Sequence, residues 1–130
     1  MMNPMARILI VEDEMPLSTL LTQTFEQEGH TVMTAGNGIE CMNKMSTFRP
    51  DVVIMDIMMP KLDGVDTTRL IRRNRNYSHV VIVALSAKAD DETRQMMREA
   101  GANIFMRKPF AIGKLVTRVN RILETRSESK

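Results

Sequence analysis

Three short apolar runs constrain the fold of this chain most strongly. They cover residues 7–11, 52–55 and 80–85, and the second is bounded by Asp51 and Asp56. Each run is rich in β-branched residues and apolar on both faces, which is typical of strands buried between two layers of helices. The chain is therefore predicted to form a parallel sheet that helices cover on both faces.

The segments between these runs have apolar residues at helical spacing, so strands and helices are predicted to alternate along the chain. Weaker strands are predicted at residues 30–35 and 103–106. Helices are predicted at residues 16–28, 39–48, 65–73, 91–100 and 112–123, with Gly29 and Gly101 ending the first and the fourth. The apolar side of the second helix is expected to carry Ile39, Met42, Met45 and Phe48, and that of the fourth helix Met96, Met97 and Ala100.

Five strand–helix units favour one topology. Crossovers between parallel strands are right-handed, and this rule leaves few arrangements. We predict a flavodoxin-like (βα)5 fold, a doubly wound parallel sheet with strand order 2-1-3-4-5. The first and third strands are then neighbours, so Asp13 and Asp56 at their ends face the same crevice.

Length and composition suit one compact domain. The 130 residues are 43% hydrophobic and 26% charged. We expect residues 1–126 to form one domain and residues 127–130 a polar tail. Cys41 is the single cysteine and is expected to be buried. No apolar run approaches the roughly 20 residues that span a bilayer, and residues 1–5 lack the pattern of a secretory signal, so a cytoplasmic location without membrane contact is expected.

Two features that suggest other functions are interpreted as structural. The basic cluster Arg69, Arg72, Arg73 and Arg75 is predicted to be a solvated helix end, because no aromatic residues interleave with it for base stacking. Direct binding of nucleic acid is therefore not expected. His30 is predicted to be a turn residue, since no second metal ligand is spaced near it.

The predicted strand ends bring together the parts of a site that handles phosphoryl groups. Glu12, Asp13 and Asp56 would form a carboxylate cluster, which favours a hard cation such as magnesium. Ser86 and Lys108 would stand at the same rim. A carboxylate can act as the nucleophile and form an aspartyl phosphate, and the cations offset the charge of the phosphoryl oxygens. Asp56 is the predicted nucleophile.

These motifs resemble the receiver domain of two-component response regulators, from about residue 7 to residue 123. The matching elements are Glu12-Asp13, Asp56 with Met59-Pro60 and Gly64, Ser86-Ala87, and Lys108-Pro109-Phe110. The resemblance implies that Asp56 accepts a phosphoryl group from a histidine kinase or a histidine phosphotransfer protein. It also implies a magnesium ion held by Asp13, Asp56 and the backbone carbonyl of Met58, with help from Glu12.

The resemblance assigns further roles. Ser86 matches the switch hydroxyl, Phe105 the switch aromatic, and Lys108-Pro109 is expected to be a cis peptide. By position, Met58 and Lys88 frame the approach of water to the phosphoryl group. Neither offers an acceptor that would orient the water, so slow self-dephosphorylation is expected.

The sequence differs from the pattern of many receivers at one position pair, and two other functions are compatible with the same fold. The acidic pair that many receivers use to dimerise is replaced by Asn103-Ile104, so a monomer or weak dimer is expected. A flavin-binding electron carrier of the same fold would need a phosphate loop where Glu12 to Pro16 stand. A phosphorylation-independent interaction module usually loses an acidic or lysine position, and none is lost. Beyond assisting its own phosphorylation and dephosphorylation, the chain is not expected to be an enzyme.

Overall fold

A computed structural model describes residues 5–59, 61–88 and 90–128. Strands and helices alternate through this part of the chain. The strands are β1 (Arg7–Val11), β2 (Thr31–Ala35), β3 (Val52–Asp56), β4 (Val81–Ser86) and β5 (Ile104–Arg107). The helices are α1 (Met15–Gln27), α2 (Gly38–Phe48), α3 (Gly64–Arg73), α4 (Asp91–Ala100) and α5 (Ile112–Glu128), with a 3-10 turn at Arg75–Tyr77.

The strands form one parallel sheet in the order β2-β1-β3-β4-β5, as predicted. In the register, Ile10 pairs with Ile54, and Asp56 pairs with Leu85. Every residue of β3 and β4 is buried. The central strands are thus covered on both faces, which explains why their sequences are continuously apolar rather than alternating.

Two core layers lie on opposite faces of the sheet. Alternate strand residues, such as Ile8 and Ile54, pack with Phe25 of α1 and Val119 of α5. The residues between them, Leu9 among them, pack on the other face under α2 and α3. This alternation with period two is what strand geometry requires when both faces are buried.

Side-chain caps fix where three helices begin. Asn37, Asp63 and Asp90 accept hydrogen bonds from the backbone N–H groups three residues ahead, at 2.9, 2.9 and 2.8 Å. Each cap stabilises its helix by about 1 kcal/mol. Asp63 and Asp90 stand just after the loops that follow β3 and β4, so they also define the ends of those loops.

Two predicted core positions were wrong. Ile39 in α2 is 51% exposed and Met96 in α4 is 39% exposed. In α2 the face toward the sheet begins at Gly38, where an added Cβ would come within 2.2 Å of Thr67 Oγ1. This close approach to α3 turns Ile39 outward, while Cys41 is fully buried as predicted.

The prediction of a fully solvated basic cluster was also wrong for Arg72, because its side chain is half-buried and its guanidinium group donates to four protein acceptors. It donates to the carbonyl oxygens of Gly101, Tyr77 and Val80 at 2.9, 3.0 and 2.7 Å. It also donates to Asn103 Oδ1 at 2.8 Å. Burial lowers the pKa of Arg72, and the nearby charge of Arg126 adds to this effect. Arg72 thereby ties α3 to the turn before β4 and to the connection between α4 and β5.

His30 lies between α1 and β2, as expected, and it is buried there. Its Nδ1 accepts the N–H of Ala6 at 3.1 Å, so Nε2 carries the proton and faces Asn120 Oδ1 at 3.2 Å. His30 thus connects the start of β1 to α5. No helix of the described ranges combines the length and the hydropathy needed to cross a membrane.

Candidate functional site

The carboxyl ends of the central strands converge at one edge of the sheet. Glu12 and Asp13 directly follow β1, while Asp56 and Ser86 are the last residues of β3 and β4. Lys108 directly follows β5. Because parallel strands end at the same edge, the side chains of Glu12, Asp13, Asp56 and Lys108 meet in one crevice. Ser86 stands at the neighbouring strand end.

The three predicted carboxylates do come together. One oxygen each of Glu12, Asp13 and Asp56 lies within 4.8 Å of the others. Glu12 and Asp56 are buried, at 3% and 5% exposure, while Asp13 is exposed at the mouth of the crevice. Clustered carboxylate oxygens with an open side fit a hard cation that keeps part of its water shell.

The Lys108 ammonium group bridges the two buried carboxylates. Its Nζ lies 3.1 Å from Glu12 Oε1 and 3.1 Å from Asp56 Oδ2. Its backbone N–H donates to the Ser86 carbonyl oxygen at 2.7 Å, and the Lys108–Pro109 bond is cis, as expected. The contact between Lys108 and Glu12 was not predicted, and only the convergence of β1 and β5 on one edge hinted at it.

Backbone N–H groups hold the remaining oxygens of these two carboxylates. Glu12 Oε2 accepts the N–H of Glu14 at 3.0 Å. Asp56 Oδ1 accepts the N–H of Met58 at 3.2 Å. Each buried carboxylate thus receives one backbone hydrogen bond and one ammonium hydrogen bond, which orient it before any ligand binds.

Burial and neighbouring charge act differently on the two partners of the Glu12–Lys108 pair. The pKa of Glu12 is raised, chiefly because burial disfavours the carboxylate and the charge of Asp56 repels it, despite the hydrogen bonds from Glu14 and Lys108. Burial lowers the pKa of Lys108, but the hydrogen bonds and charges of Asp56 and Glu12 outweigh it, so that the pKa is raised overall. The ammonium form of Lys108 is therefore strongly favoured.

A cleft of about 510 Å³ opens beside the crevice, between the loops after β3 and β4. Met58, Ser86, Lys88 and Met96 are among its lining residues. Ser86 is fully buried, and its Oγ accepts the N–H of Lys88 at 3.0 Å. The Lys88 ammonium group is exposed and lies 3.9 Å from Asp90 Oδ2, a contact that was not predicted.

Phe105 lies on β5, opposite Ala84 of β4. It is half-buried and packs against the cluster that contains Ile57, Ala84 and Met97. The guanidinium group of Arg94 lies 5.1 Å from the centre of its ring. Phe105 therefore lies two residue positions before the strand ends that form the crevice, rather than in the crevice. Pro60, which belongs to the family motif, lies outside the described residues.

Comparison with known proteins gives one family. Residues 8–120 match the family model described as response regulator receiver domain. The chain is 36% identical over 122 residues to the alkaline phosphatase synthesis transcriptional regulatory protein PhoP of Bacillus subtilis, covering 94% of this chain and 50% of that protein. It is 37% identical over 119 residues to the transcriptional regulatory protein CpxR homolog of Haemophilus influenzae, covering 92% and 51%. It thus spans about half the length of these relatives.

Solved structures show the same architecture. The chemotaxis protein CheY4 of Vibrio cholerae superposes with a TM-score of 0.86 at 29% identity, covering 92% of this chain and 100% of that one. The receiver domain of the Francisella response regulator 1452 superposes with a TM-score of 0.84 at 28% identity, covering 94% and 98%.

Proposed function

The chain belongs to the response regulator receiver domain family, and from this premise we propose that Asp56 is its phosphoacceptor. The observation that carries the proposal is the Asp56 carboxylate, buried at the end of β3 between the Lys108 ammonium group and the Met58 N–H. Glu12 is buried with an equivalent pair of contacts, so the choice of Asp56 over Glu12 rests on its match to the phosphoacceptor position of the family. Phosphorylation would switch the domain between two states.

The chemistry follows from these contacts. A carboxylate oxygen of Asp56 attacks the phosphorus atom of the donor, and the bond from phosphorus to the leaving group breaks. With a phosphohistidine donor the leaving group is the imidazole nitrogen. Lys108 offsets the negative charge on the phosphoryl oxygens as they come close to two buried carboxylates.

The carboxylate cluster fits a magnesium ion. Three carboxylates against one ammonium group leave two formal negative charges in the crevice, which matches a divalent cation. Asp13, Asp56 and the Met58 carbonyl would hold the ion, with Glu12 nearby. When bound, magnesium would neutralise charge on the phosphoryl oxygens.

The switch would pass from the crevice to the edge strand β5. The buried Ser86 hydroxyl accepts the N–H of Lys88, and it would exchange this bond for one with the phosphoryl group. Phe105, whose half-buried ring packs beside Ala84, would then move inward. The resemblance to receivers supports these two roles.

The partners are proposed on the same basis. A histidine kinase or a histidine phosphotransfer protein would supply the phosphoryl group in the cytoplasm, and a downstream target would recognise the phosphorylated state. The two relatives described above carry the words transcriptional regulatory in their names, so the absence of direct nucleic acid binding stays a prediction. The domain assists its own phosphorylation and dephosphorylation.

The test is phosphorylation by a small acyl phosphate, followed by intact mass and a magnesium titration. The chain should gain one phosphoryl group when magnesium is present, and Asp56→Asn should gain none. Asp66→Asn, at an exposed aspartate of α3 outside the crevice, should be labelled like the unmodified chain. Stoichiometric labelling of Asp56→Asn would refute the assignment, and no labelling of the unmodified chain would favour the phosphorylation-independent interaction module.

A further inference from the structure

Met58 presents an oxidisable sulfur atom beside the proposed phosphoacceptor. Its side chain is 66% exposed, whereas those of Met55 and Met59 are 0% and 8% exposed. A peroxide in solution therefore reaches the thioether of Met58 far more easily than those of its two neighbours. Exposure is a main determinant of methionine oxidation, so these three residues should differ sharply in reactivity.

The backbone keeps Met58 close to the reacting carboxylate. Its N–H donates to Asp56 Oδ1 at 3.2 Å. This hydrogen bond holds the Met58 backbone, from which the side chain extends, next to that oxygen. Its side chain lines the same cleft as Ser86 and Lys88. The cleft lies beside the crevice, so a polar group on the Met58 side chain would place a hydrogen-bond acceptor for water near the Asp56 carboxylate.

We propose that Met58 is a site of reversible oxidation, and that its sulfoxide shortens the lifetime of the phosphoryl group on Asp56. The proposal rests on Asp56 being the phosphoacceptor. In the reaction with hydrogen peroxide, a lone pair of the sulfur attacks one peroxide oxygen and the O–O bond breaks. A proton moves to the departing hydroxide, so the products are methionine sulfoxide and water. Methionine sulfoxide reductases restore the thioether.

Oxidation changes what the side chain can do to water. A thioether is apolar and only a weak acceptor, so it covers the site without orienting a solvent molecule. A sulfoxide oxygen is a strong acceptor on a side chain of nearly the same length. It can orient an attacking water by accepting a hydrogen bond from one of the O–H groups of that water. The water then adds to phosphorus, the bond from phosphorus to Asp56 breaks, and inorganic phosphate leaves.

The experiment combines peptide mapping with a decay measurement. The chain is treated with increasing hydrogen peroxide, the peroxide is removed, and mass spectrometry measures oxygen addition at each methionine. The protein is then phosphorylated with an acyl phosphate, and the decay of the phosphorylated form is followed. Met58 should gain oxygen before Met55 and Met59 do, and decay should accelerate by about threefold or more in proportion to Met58 oxidation.

Variants separate Met58 from the other methionines. Met58→Leu should decay at the same rate with and without peroxide, while Met96→Leu, in the same cleft at 39% exposure, and Met15→Leu, on α1 at 70% exposure, should keep the response. Met58→Gln carries an amide oxygen at similar length and should decay faster than Met58→Leu without any peroxide. Reduction by a sulfoxide reductase should restore the slow decay.

The outcomes also distinguish this inference from the proposed function. If the untreated chain is phosphorylated but full oxidation of Met58 leaves its decay unchanged, the inference fails and the function stands. The inference also fails if Met58→Leu responds to peroxide as the unmodified chain does, or if Met58 resists doses that oxidise Met15. If the untreated chain accepts no phosphoryl group, both fail together.

Discussion

At the residue scale, the single ammonium group of Lys108 neutralises only part of the negative charge in the crevice. Lys108 bridges Glu12 and Asp56 at 3.1 Å each, but a third carboxylate, Asp13, stands at the mouth. Repulsion within such a cluster is costly unless a cation enters. Substitution of Asp13 should therefore change magnesium binding, and substitution of Glu12 should change the stability of the metal-free chain.

Asp13→Ala should weaken magnesium binding and abolish phosphorylation at ordinary magnesium concentrations while leaving the fold intact. Removing one carboxylate from a repulsive cluster relieves strain, so the melting temperature without metal should be equal or higher. A magnesium titration followed by intact-mass measurement of phosphorylation checks this. Normal phosphorylation of Asp13→Ala without added magnesium would contradict the metal assignment.

Glu12→Gln should stabilise the metal-free chain at neutral pH, because the raised pKa of Glu12 means that folding disfavours its charged form. In the folded state Glu12 binds its proton more tightly than in the unfolded state. Its contribution to stability therefore falls as pH rises from the ordinary value of 4.5 through the raised pKa. Glutamine imitates the protonated acid, so the advantage of the variant should disappear as pH falls through this range.

The measurement is the melting temperature of both proteins in a chelator, from acid to neutral pH. Glu26→Gln, at an exposed position of α1, controls for the loss of one negative charge. An advantage of Glu12→Gln that grows on acidification would show that the sign is wrong.

At the element scale, two loops frame the approach to Asp56. Asp63 caps α3 and Asp90 caps α4, so the loops after β3 and β4 each end at a fixed point. These loops carry Met58 and Lys88, which line one cleft. The lifetime of the phosphoryl group should therefore depend on the side chains of the loops more than on the strands.

The unmodified chain should dephosphorylate slowly, and the double variant Met58→Asn, Lys88→Glu should decay faster. The amide and the carboxylate supply acceptors that can orient water, which the thioether and the ammonium group do not. The decay rate of the purified phosphorylated protein is the measurement. Lys114→Glu, on α5 away from the cleft, makes the same change of charge as Lys88→Glu and serves as the control. Equal or slower decay of the double variant would defeat this account of the loops.

Arg72 is the connection between elements that matters most for stability. Arg72→Met should lower the free energy of unfolding by on the order of 2–4 kcal/mol, because three carbonyl oxygens and Asn103 Oδ1 lose a donor. Arg73→Met, at the exposed neighbouring position, should change it little. Urea denaturation of both variants measures the difference, and equal losses would mean that the guanidinium hydrogen bonds contribute nothing specific.

At the scale of the whole molecule, the sheet determines what the sequence could predict. Residues 52–55 are apolar on both faces and too short for a helix, so the central strands and their order followed from pattern and handedness. Asp13, Asp56 and Lys108 could be placed together because strand ends share an edge. These inferences depend on backbone geometry, which a local pattern specifies well.

The features that the sequence did not predict depend on tertiary contacts of side chains, which local sequence patterns do not encode. Ile39 and Met96 have the spacing of core residues, but they lie at the border of the buried face of their helices and are exposed to solvent. Arg72 looks like its neighbours in a basic cluster, and only the tertiary arrangement brings four acceptors around it. The bridge from Lys108 to Glu12 joins residues 96 positions apart.

Every step of the proposed switch depends on the phosphoryl group residing on Asp56. Reductive trapping tests it most directly: the phosphorylated chain is treated with borohydride, which reduces an aspartyl phosphate to homoserine, and peptides are then mapped by mass spectrometry. We predict homoserine at position 56 and unchanged aspartate at positions 13, 51 and 63. Homoserine at any of those three positions, with intact Asp56, would contradict the account.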